Sequence, residues 1–327
     1  MTFPLSNSPG TIVFLDDDPD YLDMLALVLP RHWHVLLFLR PQDCINHLQQ
    51  EPPLWEADAW DQQRVIDHWR ESGAPLIPQV LRYWQESSRR FSLARVCVVD
   101  YSMPAMDGLQ ALGELVEWPG CRVLLTGQAD EQLAVDAFNR GLIDQFVPKQ
   151  TPNISKHLIE VIKRLLATSN SPHAQAWRST LSPRQNALLR VPSVALALSE
   201  QVAARQWVEY VTLGSPFGVL GVDVQGHASW LQLEPFEGLA ELAELAATEG
   251  VDAGQLEVIR AGEQLPDIEL RQSLGRASPP ALAPAFAVGR EELLLGAIFP
   301  IAPEHVPDPT HSFSQWLARQ APRRVKD

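Results

Sequence analysis

Cysteine is scarce: 327 residues hold only Cys44, Cys97 and Cys121, and no two of them have the spacing of a paired ligand. That excludes a disulfide framework and a thiolate metal cluster, and leaves the three as reduced structural residues. Long apolar runs are missing too. None approaches the ~18 residues that a membrane-crossing helix needs, and the opening Met-Thr-Phe-Pro-Leu-Ser has no basic flank of the secretory kind. The expected location is the cytoplasm. Positive charge is short as well, 26 Lys+Arg against 40 Asp+Glu, a net charge of -14. Such a balance argues against broad affinity for nucleic acid or an anionic membrane, though not against a local basic patch. The length suggests two domains, each able to bury a core.

What is present begins with apolar runs that end in chemistry. Ile12-Val13-Phe14-Leu15 runs into Asp16-Asp17-Asp18, and Val96-Cys97-Val98-Val99 runs into Asp100. The later runs 122–126 and 143–147 lead to Thr126-Gly127 and to Lys149. Helical spacing fills the gaps at about 19–29, 42–49, 109–116, 131–139 and 154–167, and 35–39 reads as a further strand. Strands alternating with helices imply right-handed crossovers and a doubly wound, five-stranded parallel sheet. Such a sheet gathers strand-end residues at one edge, where ligands bind. Several carboxylates crowded there are costly unless a divalent cation or a proton or phosphoryl site uses them. The rhythm breaks between 51 and 90, where prolines punctuate two helical pieces (about 57–70 and 79–87) accompanied by Trp55, Trp60, Trp69 and Trp84.

The ordered set Asp16-Asp17, Asp100 with Met103-Pro104 and Asp107-Gly108, Thr126-Gly127 and Lys149 resembles the receiver domains of two-component response regulators. The resemblance covers residues 11–167 apart from the Trp-rich segment, and implies a flavodoxin-like fold in a bacterial signalling phosphoprotein. It implies that Asp100 accepts a phosphoryl group from a histidine kinase or phosphotransfer protein. Mg²⁺ would be held by Asp16, Asp17, Asp100 and the backbone carbonyl of Ser102, with Asp16 acting through water. Lys149 would pair with Asp100 and then with the phosphoryl group. Thr126 and Phe146 would form the conformational switch, and the face at about 130–167 could support a homodimer. Two departures stand out. Asp17 and Asp100 lie 83 positions apart, longer than is usual in the family, the excess being the insertion at 51–90. Lys149 is followed by Gln150, Thr151 and Pro152 where the family commonly has proline at once, which alters the entry to the last helix but not the amine.

Domain limits read as a receiver over 1–168, a linker with connecting helix over 169–206, and a small α+β output or interaction domain over 207–327. The linker begins in Thr-Ser-Asn-Ser-Pro-His, and Pro192 should interrupt the helix at 183–206. Strands are expected at 208–213, 217–223 and 228–233, helices at 237–248 and 253–261, and a late hairpin around Gly289-Arg290-Glu291-Glu292. Leu181-Ser182-Pro183-Arg184-Gln185 resembles the opening of a helix-turn-helix of quorum-sensing type. A basic recognition helix should follow, but 191–204 carries no basic residue, and 170–327 holds 18 acidic residues against 12 basic. DNA binding is therefore the alternative reading. A receiver-gated enzyme is a further one, unsupported by any cyclase, phosphodiesterase or phosphate-loop motif. The stretch Tyr210–Leu233 resembles a small domain that accompanies some proteobacterial receivers and carries no assigned activity. The downstream partner is open.

Overall fold

The computed structural model describes residues 2–326 apart from 105, 128–130, 169–175, 291–292, 307 and 309–310. The chain divides into two units, each discontinuous in sequence. Pro9–Ala59, Arg89–Ser171 and Trp316–Asp327 make one, and Met1–Ser8, Trp60–Ser88 and Pro172–Gln315 make the other.

A two-residue strand, β1 (Ser6–Asn7), belongs to the second unit. The first unit is built on β2 (Thr11–Leu15), β3 (His34–Phe38), β4 (Ala94–Asp100), β5 (Cys121–Thr126) and β6 (Gln145–Pro148). They pair in parallel in the order β3-β2-β4-β5-β6. Between them run α1 (Pro19–Val28), α2 (Pro41–Leu48), α3 (Pro52–Ser72), α4 (Leu76–Glu86), α5 (Gly108–Gly113) and α6 (Glu131–Asn139), with α7 (Ile154–Thr168) following β6. Period-two alternation along the central strands splits the core into two layers. Ile12, Phe14, Val96, Val98, Val123 and Leu125 pack with Leu22 and Leu25 of α1 and Leu158, Val161 and Ile162 of α7. Val13, Leu15, Cys97, Val99 and Leu124 pack on the other face with Cys44 and Ile45 of α2, Leu112 of α5 and Ala134 of α6. All three cysteines are free. The doubly wound parallel sheet expected from the sequence is present.

The segment 60–88 departs from expectation. Read from the sequence as an insertion within the receiver, it belongs to the second unit: Ile66, Leu76, Ile77, Val80, Leu81, Tyr83 and Trp84 share a core with Val211, Leu220 and Trp230. Trp177 Nε1 donates to Gln62 Oε1 (2.8 Å) and Gln62 Nε2 donates to the Tyr83 hydroxyl (3.2 Å) inside that unit. The tryptophans separate accordingly. Trp84 is buried in the second unit's core, Trp69 packs against it, Trp55 is buried in the first unit, and Trp60 is exposed.

Nor is 183–206 a linker. It forms α8 (Pro183–Leu188) and α9 (Pro192–Ala204), broken before Pro192 as expected, and Leu189, Val194, Ala195 and Leu198 pack with Phe3 and Leu5. Strands β7 (Trp207–Gly214), β8 (Phe217–Asp223) and β9 (Ala228–Pro235) follow, then α10 (Leu239–Thr248), α11 (Ala253–Arg260), β10 (Gln264–Pro266) and α12 (Ile268–Ser273). The unit is completed by β11 (Leu282–Pro284), β12 (Phe286–Val288) and β13 (Leu294–Pro300). Its antiparallel sheet runs β1-β7-β8-β9-β13-β12, with β10 and β11 paired apart. The linker stretch at 169–175 and the turn residues 291–292 lie outside the described residues.

The chain then returns to the first unit. Helix α13 (Phe313–Ala318) leads to β14 (Val325–Lys326), which adds a sixth strand in parallel beside β3. A strand two residues long carries no periodicity in the sequence, so the sheet is one strand wider than expected. No helix among the described residues is long and apolar enough to cross a membrane.

Candidate functional site

Backbone pairing brings the chemistry to the C-terminal edge of the parallel sheet. Asp16 follows β2, its N–H donating to Phe38 O (3.2 Å). Asp100 ends β4 in register with Leu125, and Tyr101 N–H donates to Leu125 O (2.9 Å). Lys149 follows β6, its N–H donating to Thr126 O (2.8 Å). Gly108 N–H donates to Tyr101 O (2.9 Å), folding the loop after Asp100 back on the strand. A Cβ at Gly108 would lie 2.3 Å from the backbone oxygen of Asp100 and 2.9 Å from Leu124 Cδ1. Only glycine permits that approach without moving the strand. Asp107 caps α5 in a reciprocal capping box with Gln110.

Asp16, Asp17 and Asp100 each offer a carboxylate oxygen, and these oxygens lie within 4.8 Å of one another. Asp16 and Asp100 are buried, whereas Asp17 is exposed. Three hard anionic oxygens at that spacing suit a divalent cation that keeps part of its water. The third acid of the run, Asp18, has another task. It caps α1, accepting from Asp20 N–H (2.9 Å) and Tyr21 N–H (3.2 Å). Asp16 Oδ1 accepts from Asp18 N–H (3.0 Å), which ties the acidic run to the start of the helix.

Lys149 Nζ lies 2.9 Å from Asp16 Oδ2 and 2.8 Å from Asp100 Oδ1, so one ammonium serves both buried carboxylates. Burial pushes the Asp16 carboxyl above the usual carboxylate range, against the lowering effect of its bonds to Lys149 and Asp18. For Lys149, burial opposes the charge, but hydrogen bonds to Asp100 and Asp16 outweigh it and hold the ammonium above the ordinary lysine value. Thr126 is fully buried and its hydroxyl has no hydrogen-bond partner among the described residues, a costly state beside a cluster of charge. Phe146, two residues before the end of β6, is half-buried against the core layer that holds Val99 and Leu124. Ser102 is exposed, two positions past Asp100.

Asp16, Asp17, Asp100 and Lys149 thus meet, with Thr126 at the adjoining strand end. Sequence reasoning missed Tyr21, whose ring centroid lies 4.8 Å from Lys149 Nζ. Its place on helical spacing marked it as a core residue, and nothing in the sequence marked it as a neighbour of the lysine.

No protein-family model matches the chain, and no curated protein sequence matches it. Among solved structures, the Legionella pneumophila response regulator LqsR is similar over 98% of this chain and 98% of its own, at 24% identity and a TM-score of 0.72. A response regulator receiver domain protein from Clostridium thermocellum covers 48% of this chain and 94% of its own at 17% identity and a TM-score of 0.30. One from Methanospirillum hungatei covers 49% and 94% at 18% identity, also with a TM-score of 0.30. Along nearly its whole length, the chain has the fold of the Legionella response regulator.

Proposed function

We propose that the chain is a response regulator in which Asp100 accepts a phosphoryl group from a histidine kinase or phosphotransfer protein, with Mg²⁺ at the acidic edge. The observation that carries this reading is the ammonium of Lys149 shared between Asp100 and Asp16, within a trio of close carboxylates. An Asp100 carboxylate oxygen attacks the phosphorus of a phosphoimidazole; the P–O bond forms as the P–N bond breaks, and the imidazole departs with the bonding pair. Asp16, Asp17, Asp100 and the Ser102 carbonyl would hold the cation. Bound Mg²⁺ supplies charge neutralisation for the transferring group. Lys149 exchanges its pairing with the Asp100 carboxylate for one with a phosphoryl oxygen. The Thr126 hydroxyl, without a partner among the described residues, supplies a further donor to the phosphoryl group, and its inward shift draws Phe146 with it.

Output runs through protein contacts rather than through DNA or catalysis. Helix α9, which follows the helix-turn-helix-like opening, carries no basic residue, and Val194, Ala195 and Leu198 are buried in the second unit's core. On α6, Leu133, Val135 and Phe138 are exposed and offer an apolar face for association of two copies after phosphorylation. Beryllofluoride with Mg²⁺, an acyl-phosphate mimic, tests the reading. Wild type should show a Mg²⁺-dependent change in tryptophan fluorescence that Asp100→Asn abolishes. A response retained in Asp100→Asn, or none in wild type, overturns it.

A further inference from the structure

Helix α1 is held at its N-terminal end by the acidic run that precedes it and at its C-terminal end by a group remote in sequence. Its N-terminus is fastened to the acidic run through Asp18 and Asp16. Its C-terminal end has no basic residue of its own in the last turn, so the carbonyls left open there and the negative end of the helix need an outside donor. Arg323 supplies it. Arg323 Nη1 donates to Ala26 O (3.2 Å) and Leu29 O (2.9 Å), and Nη2 donates to Trp33 O (2.9 Å) and Pro30 O. The segment carrying Arg323 is itself docked on the first unit. Trp316 packs edge-on to His34 (4.8 Å between centroids) and against Phe91 (5.7 Å), and Val325 and Lys326 pair with Leu37 and Phe38.

A ten-residue helix is a stiff rod about 15 Å long. Leu22 and Leu25 press it on the sheet, an apolar contact with little directional preference along the axis. The two polar clamps therefore set its axial position, and with it the placing of Asp16, Asp17 and Tyr21 against Asp100 and Lys149, which stand on other strands. We propose that Arg323 is a positioning residue for the acidic site, acting through α1, and that docking of the segment Trp316–Lys326 is thermodynamically linked to cation binding at Asp16 and Asp17. The proposal rests on the reading of that edge as a Mg²⁺ site. Linkage is reciprocal: if tail docking strengthens Mg²⁺ binding, Mg²⁺ must tighten the tail.

The test uses the full chain and Mg²⁺ alone. Calorimetric titration should show Arg323→Met binding Mg²⁺ about threefold to tenfold more weakly than wild type, with unchanged far-ultraviolet circular dichroism. Arg323→Lys should not restore it, because a point charge cannot fork across four carbonyls. In wild type, Mg²⁺ should slow amide exchange in residues 316–326, and Asp17→Asn should remove that effect. This second arm needs no change at position 323, so it stands even where Arg323→Met fails to fold. Mg²⁺ binding by wild type with tail exchange unmoved, or a freed tail in Arg323→Met with affinity within about twofold of wild type, overturns the linkage alone. No Mg²⁺ binding by wild type overturns the site reading, and the linkage falls with it.

Discussion

Asp16 and Asp100 are both nearly excluded from solvent and share one ammonium, an arrangement whose tension a cation or phosphoryl group can relieve. Close approach of the backbone is the other constraint at the site. Gly108→Ala should lower stability by about 1–3 kcal/mol, because the new methyl meets the Asp100 carbonyl. Denaturant unfolding measures that loss, and the beryllofluoride response should weaken with it. A second strained carboxyl lies away from this site, in the other unit. Burial, helped by the charges of Glu269 and Glu241, raises Glu234 from 4.5 to about 7. A raised folded-state value means that the stabilising contribution is complete below the unfolded value and fades as pH rises through the folded one. Relative to Glu234→Gln, wild type should therefore lose up to about 3 kcal/mol between pH 4.5 and a little above pH 7, less where water screens the carboxyl. A stability difference independent of pH would contradict this.

Elements whose ends carry chemistry were legible because alternation and turn residues mark them locally. The strands leading to Asp16, Asp100, Thr126 and Lys149 all lie within about two residues of their expected limits. Elements made by pairing alone were not legible. The two-residue strands β1 and β14 have no periodicity to read, and each exists because a longer strand presents an edge. Helix α3 is an intermediate case: its presence was expected, but not its start at Pro52. Glu51, just before it, explains the junction. Its carboxylate accepts from Trp118 Nε1 (3.0 Å), the Ala94 N–H (3.1 Å) and Trp55 Nε1 (3.3 Å), all within the first unit. Burial raises its pKa, and these donors oppose the rise. Glu51→Leu removes the carboxylate that accepts from three buried donors and should cost about 2–4 kcal/mol. Thermal unfolding would check it.

For the molecule entire, apolar surface rather than chain order decides membership. A sequence read from one end to the other assigns 60–88 to the element before it, and only the buried faces of Ile66, Val80 and Trp84 reveal that it completes the core around Trp230. The same holds for Phe3 and Leu5, which pack with Leu198 and Tyr210. A fragment of 207–327, which reads as a separate domain, lacks those partners and should show no cooperative thermal transition. One that unfolded cooperatively, with dispersed amide resonances, would contradict the division drawn here. Excising 51–90 should likewise unfold the second unit rather than trim a loop.

Phosphoryl transfer to Asp100 is measured most directly by mass spectrometry of the full chain after incubation with a small-molecule phosphoryl donor and Mg²⁺, with the adduct located by reductive trapping of acyl phosphates. One phosphoryl group is expected, on Asp100, lost when Mg²⁺ is chelated and absent in Asp100→Asn. Unmodified protein under those conditions, or a phosphoryl group on any other side chain, would contradict it.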